Sequence, residues 1–220
     1  MGNPTVTPLV ETRHDGGYRM WTAENNMISP AKITLGSGAG VVVAGTVLGQ
    51  ATLGTTATAA PLGTNVGNGT FGAITVTAPA VPGAYVVEFD SATNYIVSAP
   101  NGQEVGHGTT GAAFAAGGLG FTITAGGTAF AAGDSFTVTP AAGTGKWAPY
   151  NPLAGDGTEV AAGILFGTRD ATSADQRAVA DVRGPMRVNV NELIWGANVT
   201  TQLQQTTALA QLQALGILAS

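Results

Sequence analysis

Along residues 151–195 the apolar positions come in three short bursts separated by Gly and Asp-Gly punctuation, and the rest of the chain is organised around them. A compact apolar run spans 159–167, RAVADVR alternates over 177–183 and RVNVNEL over 187–193, so each burst predicts a strand. In the second burst Ala178, Ala180 and Val182 share one face, while Arg177, Val179, Asp181 and Arg183 share the other, as in a thin two-sided sheet. Upstream, residues 31–53 predict strands at 32–35 and 41–48 around a Gly-Ser-Gly turn; the second is broken at Gly45 and apolar enough to be buried.

Residues 54–145 differ from both flanks. Their only charged residues are Glu88, Asp90, Glu104 and Asp134, set among Thr, Ala, Val, Gly and Phe at strand spacing. Strands are predicted at 72–77, 83–89, 95–98, 119–124 and 135–139, with turns at Pro82-Gly83, Asn101-Gly102 and Gly126-Gly127. This pattern predicts an inserted β-sandwich or barrel. Residues 69–89 and 118–138 share an outline, but in so biased a composition chance similarity is nearly as good an explanation.

After Trp195 the period changes to that of a helix over 198–215. Val199, Leu203, Leu209, Ala210, Leu212 and Leu215 fall toward one side, Asn198 or Thr200 is placed to cap the start, and Gly216 to end it. At the other terminus, Pro4, Pro8, Gly16, Gly17 and Pro30 interrupt the apolar pieces Thr7-Pro8-Leu9-Val10 and Tyr18-Arg19-Met20-Trp21. Residues 1–30 therefore read as an extended arm that pairs at a sheet edge or orders on a partner, and Tyr18 with Trp21 favours docking. The fold class expected is mostly β, an α+β core with a C-terminal helix, interrupted by the inserted β domain.

Composition narrows the function. Charged residues make up 10% of the 220, against roughly 25% in ordinary soluble domains, and 33 are Gly. Such a surface suits a crowded assembly in which neighbours cover much of it. The net charge of −5 and two lysines give no nucleic-acid footprint, and the lack of cysteine removes disulfides and thiolate chemistry. No signal-like start and no bilayer-length apolar run is present, so a soluble chain outside the Sec route and without membrane partners is expected. Met1-Gly2 is not a myristoylation start, because position 6 is Val.

Candidate chemistry is sparse. Gly67-Asn68-Gly69-Thr70-Phe71-Gly72 matches a dinucleotide fingerprint by letter, but a strand rather than a helix follows it. Gly143-Thr144-Gly145-Lys146 lacks the Ser or Thr that a phosphate loop places after its Lys. His14 and His107 each lie in a Gly-flanked loop without ligand-spaced partners, and Asp156-Gly157-Thr158-Glu159 is too poor in oxygen ligands for calcium. Glu88 and Asp90 share the wet face of a strand, with no cleft for acid–base work. No serine sits in a nucleophile elbow. No catalytic residue, metal or cofactor is expected, and a structural or binding role is favoured.

ITLGSGAGVVVAGTVLG at 33–49, the run from KWAPYNPLAGDG to VNELIW at 146–195, and the ending ALGIL at 214–218 together resemble the head decoration protein family of tailed phages, the lambda-like capsid-stabilising protein D. The likeness covers residues 14–53 and 146–218. It implies a homotrimer on three-fold sites of the expanded head, on the outer surface of the virion, that stabilises the shell. It also implies an arm, residues 1–30, bound to the major capsid protein, here with Thr7, Leu9, Val10, Tyr18, Met20 and Trp21 as contacts. Residues 31–53 and 146–220 would be the decoration core and 54–145 an insertion, facing outward or touching neighbouring trimers. The alternative is an adhesive module that binds host glycans through that insertion, with Tyr85, Tyr95, Phe114 and Phe130 as candidate contacts.

Overall fold

The computed structural model describes residues 15–22 and 29–220. The first strands are β1 (Arg19–Thr22), β2 (Pro30–Leu35), β3 (Gly40–Val42) and β4 (Val47–Gln50). Next come β5 (Leu53–Pro61), β6 (Thr70–Phe71), β7 (Thr75–Val76), β8 (Tyr85–Phe89), β9 (Asn94–Ser98), β10 (Glu104–Thr109), β11 (Ala113–Ala116), β12 (Leu119–Thr124) and β13 (Ser135–Ala142). The chain continues through β14 (Trp147–Pro149), β15 (Ala161–Leu165), β16 (Arg169–Ala171), β17 (Gln176–Asp181) and β18 (Met186–Val188) to helix α1 (Gln202–Ala214) and β19 (Ile217–Ala219). The fold is mostly β with one helix near the C-terminus, as the pattern predicts.

Five strands close a barrel in the order β14-β2-β17-β15-β4. Ile33, Leu35, Leu48, Trp147, Leu165, Ala178 and Ala180 form one core. Val47, Ala161 and Ile164 belong to a second, built with Tyr18, Tyr150, Met186, Val188, Leu212 and Ile217. Neighbouring residues of β4 and β15 thus enter different cores, so both faces of these strands are covered. Continuous apolar pairs such as Val47-Leu48 and Ile164-Leu165 follow from that double burial, where a half-exposed strand would alternate. Each fully buried Leu or Ile contributes about 1.5–3 kcal/mol.

Two predicted strands are divided. The run over 41–48 breaks at Gly45, as expected, but β3 leaves the barrel and pairs with β16. The run over 187–193 ends early as β18, because the Asn189 side chain accepts from Asn191 N–H at 3.0 Å and turns residues 190–192 into a short 3-10 helix. The helix begins later than predicted. Thr201, not Asn198 or Thr200, caps it: its hydroxyl accepts from Gln204 N–H while the Gln204 side chain accepts from Thr201 N–H at 3.0 Å. Gly216 ends it at φ +79°, as predicted. The buried stripe is Ala208 and Leu212, one turn apart; Leu203 lies about 140° around the helix from Ala208 and is 76% exposed.

Residues 54–145 lie within a nine-stranded sheet of order β10-β9-β8-β13-β5-β7-β12-β11, with β6 on β12. Strands β5 and β13 pair from Ala142↔Leu53 to Phe136↔Pro61, forming the ribbon by which the chain leaves the barrel and returns. The sheet curls until its ends meet: a Cβ on Gly106 of β10 would lie 3.5 Å from the Ala116 Cβ of β11. Its core is rich in rings, with Phe89 stacked on Phe130 at 3.9 Å and Phe114 on Phe121 at 4.8 Å between centroids. The predicted strand at 119–124 is β12; of 72–77 only Thr75–Val76 is a strand, β7, and the short β6 ends just before that range. Strand β5 was not anticipated, since its run of Thr and Ala has no clear alternation.

Candidate functional site

The arm's described portion is an edge strand. In the sheet β1-β18-β19, β1 runs antiparallel to β18, and β18 runs parallel to β19. The register passes from Arg19↔Val188 to Trp21↔Arg187, so two residues of β1 oppose one of β18. Such a bulge breaks the period-two alternation. Its consequence is visible in the next two side chains: Met20 is 61% exposed and Trp21 54%.

Tyr18 is treated in the opposite way. Its ring is buried in the second core, so of the expected docking pair only Trp21 reaches solvent. Thr7, Leu9 and Val10 lie outside the described residues, as does His14.

What fixes β1 in place is Asp181, at the end of β17 and wholly buried. The Tyr18 hydroxyl donates to its Oδ2, and the Arg19 guanidinium straddles the carboxylate, with Nε donating to Oδ2 at 2.8 Å and Nη2 to Oδ1. The same guanidinium lies 4.5 Å from the centroid of the Phe166 ring. Main-chain bonds from Gly16 N–H to Phe166 and from Asn189 N–H to Tyr18, both 2.8 Å, complete the seat. Burial, then the Asp181 charge, drives the Tyr18 pKa far up, so the phenol remains a donor. Asp181 shares its face of RAVADVR with Arg177, Val179 and Arg183, and the alternation alone assigns that face neither to core nor to solvent. Its partners lie more than 160 residues away in sequence, and no local signal marked it.

The remaining candidates take structural places. Gly67 and Gly69 press against Phe130, where an added Cβ would come within 2.3 and 2.6 Å of the ring, and Thr70-Phe71 continues as β6. Asp134, buried nearby, accepts from Val66, Gly67 and Ala131 N–H at 2.8–3.0 Å. Those bonds, the one from Val66 foremost, hold its carboxyl below the usual range. His107 pairs with Glu104 at 2.9 Å on the surface. Tyr85, Tyr95, Phe114 and Phe130 correct the glycan reading: all four are buried, because the curled sheet turns them inward to pack on one another.

No curated protein matches the chain. Among solved structures, Xanthomonas campestris FlgL in one crystal form is 26% identical over 44% of this chain and 33% of its own, and in a second form 27% identical over 43% and 31%. The flagellar hook junction protein FlgK from Burkholderia pseudomallei is 22% identical over 59% of this chain and 23% of its own. All three give a TM-score of 0.33, and the chain spans about a third or less of their lengths. A family model described as bacteriophage lambda head decoration protein D matches residues 8–217, and that match runs through the edge strand, the barrel and the C-terminal helix. With nearly its whole length inside that match, the chain belongs to the bacteriophage lambda head decoration protein D family.

Proposed function

We propose that this chain, whose family gives it a role in decorating phage capsids, binds the outer surface of the expanded icosahedral head as a homotrimer at three-fold sites and stabilises the shell. The observation that carries the reading is the bulged edge strand β1. A strand seated by a buried charge pair presents Met20 and Trp21 to solvent and leaves its outer edge unpaired among the described strands, which suits strand addition by a partner. The partner proposed is the major capsid protein, held by residues 1–30, with Thr7, Leu9 and Val10 extending the contact beyond β1.

In this reading residues 31–53 and 146–220 form the decoration core, and residues 54–145 a module on its outer side. Exposed Leu153, Val160 and Leu203 are available for contacts between subunits. Stabilisation needs no bond-making chemistry. A protein that binds only the expanded shell adds its binding free energy to that state. Three arms on one trimer raise the effect, because the second and third bind at high effective concentration.

The test is add-back. Full-length protein and a form lacking residues 1–30 are mixed with expanded, undecorated shells, and bound copies and shell survival on heating are counted. Saturation near one trimer per three-fold site, lost with the arm, is the expected result. Equal binding by both forms removes the arm from the proposal, and binding by neither overturns it.

A further inference from the structure

We propose that the basic cleft on the barrel receives the acidic outer face of β8, within residues 54–145, from a second copy of this chain. The contact joins copies and does not depend on how the chain holds a shell.

The cleft, about 640 Å³ and open, is lined by Lys32, Thr34, Gln50, Trp147, Arg169 and Arg177 among others. Three of the chain's eight cations stand there. The register Arg177↔Thr34 and Val179↔Lys32 makes Lys32 and Arg177 diagonal neighbours on the outer face of β2 and β17, about 7–8 Å apart. Like charges so placed repel, and neither pairs with a carboxylate among the described residues. Arg169 is held in the group by its backbone contacts, donating to Thr168 O at 2.7 Å and Arg177 O at 3.3 Å. The nearby carboxylates are engaged elsewhere: Asp175 by Lys146 at 2.8 Å and by Ser37 N–H, and Asp170 by Thr172 N–H.

One segment carries acids without any lysine or arginine: residues 54–145 hold four of the chain's thirteen acids and one histidine, His107, which pairs with Glu104. Asp134 is internal, whereas Glu88 and Asp90 are exposed, two apart at the end of β8, and make no ion pair among the described residues. Tyr85, Val87 and Phe89 fill the inner face of that strand, so both carboxylates look outward. Two exposed anions on the outer face of β8 match the cations of the cleft. Such pairing brings like copies together in one orientation.

Because the chain has no cysteine, Lys32→Cys protein mixed with Glu88→Cys protein can form a mixed disulfide only between copies. Lys32→Cys mixed with Thr75→Cys, exposed on β7 and three strands from β8 in the sheet order, is the control. We expect the first mixture to cross-link and the control not to. The product should be lost near 1 M salt, where screening shortens to about 3 Å. It should also be lost with Arg177→Glu in the Lys32→Cys partner and return when Asp90→Arg is added to the Glu88→Cys partner. Equal yields in both mixtures, or no mixed disulfide, overturns the proposal. So does an oligoglutamate peptide that binds wild-type protein in an Arg177-dependent way while the copies fail to cross-link; the occupant is then a different acidic protein.

Discussion

Arg19 reaches Asp181 through two hydrogen bonds, joining the arm's edge strand to the barrel strand β17 across most of the chain's length. The carboxylate is fully buried and the guanidinium nearly so, at 0% and 11% side-chain exposure. A pair so enclosed holds β1 in one position, and breaking one side strands the other charge.

Asp181→Ala is therefore expected to cost about 3–5 kcal/mol in urea unfolding, and Arg19→Met a comparable amount. The combination Tyr18→Phe, Arg19→Met, Asp181→Leu should recover most of the loss, since it leaves no polar group unpaired. If the combination costs as much as the sum of its parts, the pair is not the unit described.

Trp21→Ala and Met20→Ala should leave the unfolding midpoint within about 0.5 kcal/mol of wild type, because both side chains are mostly in solvent. Copies bound in the add-back assay should nevertheless fall. A large stability loss with unchanged shell binding would place these residues in the fold instead of the interface.

Asp134 sets an acid limit on residues 54–145. Its carboxyl pKa is lowered by hydrogen bonds from Val66, Gly67 and Ala131 N–H, so its stabilisation is complete above the ordinary value of 3.8 and is lost as pH falls through the lowered one. All three tryptophans, Trp21, Trp147 and Trp195, lie outside 54–145, while Tyr85 and Tyr95 lie inside. We expect acid to perturb the near-UV tyrosine signal before tryptophan fluorescence, and Asp134→Asn to lower thermal stability at neutral pH and flatten the acid dependence. An unchanged acid profile in Asp134→Asn would remove this group as the cause.

Gly184 lies against the residue that ends α1. A Cβ on it would stand 1.8 Å from the Gly216 carbonyl oxygen, a backbone atom that cannot swing aside. Gly184→Ala should cost about 1–3 kcal/mol as overpacking between β18 and β19. Gly127→Ala, with nothing within 4 Å, should be neutral within about 1 kcal/mol, which makes it the matched control.

Much of this architecture was legible in the linear pattern. Strand β12, the helix with its Gly216 stop, the division at Gly45 and the charge-poor segment over 54–145 all rest on neighbours in sequence: alternation, a turn, a cap. Two weak spots were local as well. Asn189 ends β18 by a bond to its own neighbour's amide, and Thr201 outcompetes Asn198 and Thr200 as cap because Gln204 completes the reciprocal pair only with it.

The chain's pattern by itself determined the fold class and, through ordered motifs, the family. Each depends on periodicity or composition, which survive being read in one dimension. Tertiary structure decided which side of each strand is inside. Asp181, on a face shared with two arginines, became the buried anchor once Tyr18 and Arg19 closed over it; Tyr18 and Trp21, read together as a docking pair, were separated by a bulge. Four aromatic rings that a glycan could have used turned inward when the sheet curled. Period two says only that alternate residues share a face; which face meets water is set by what packs on it from far along the chain.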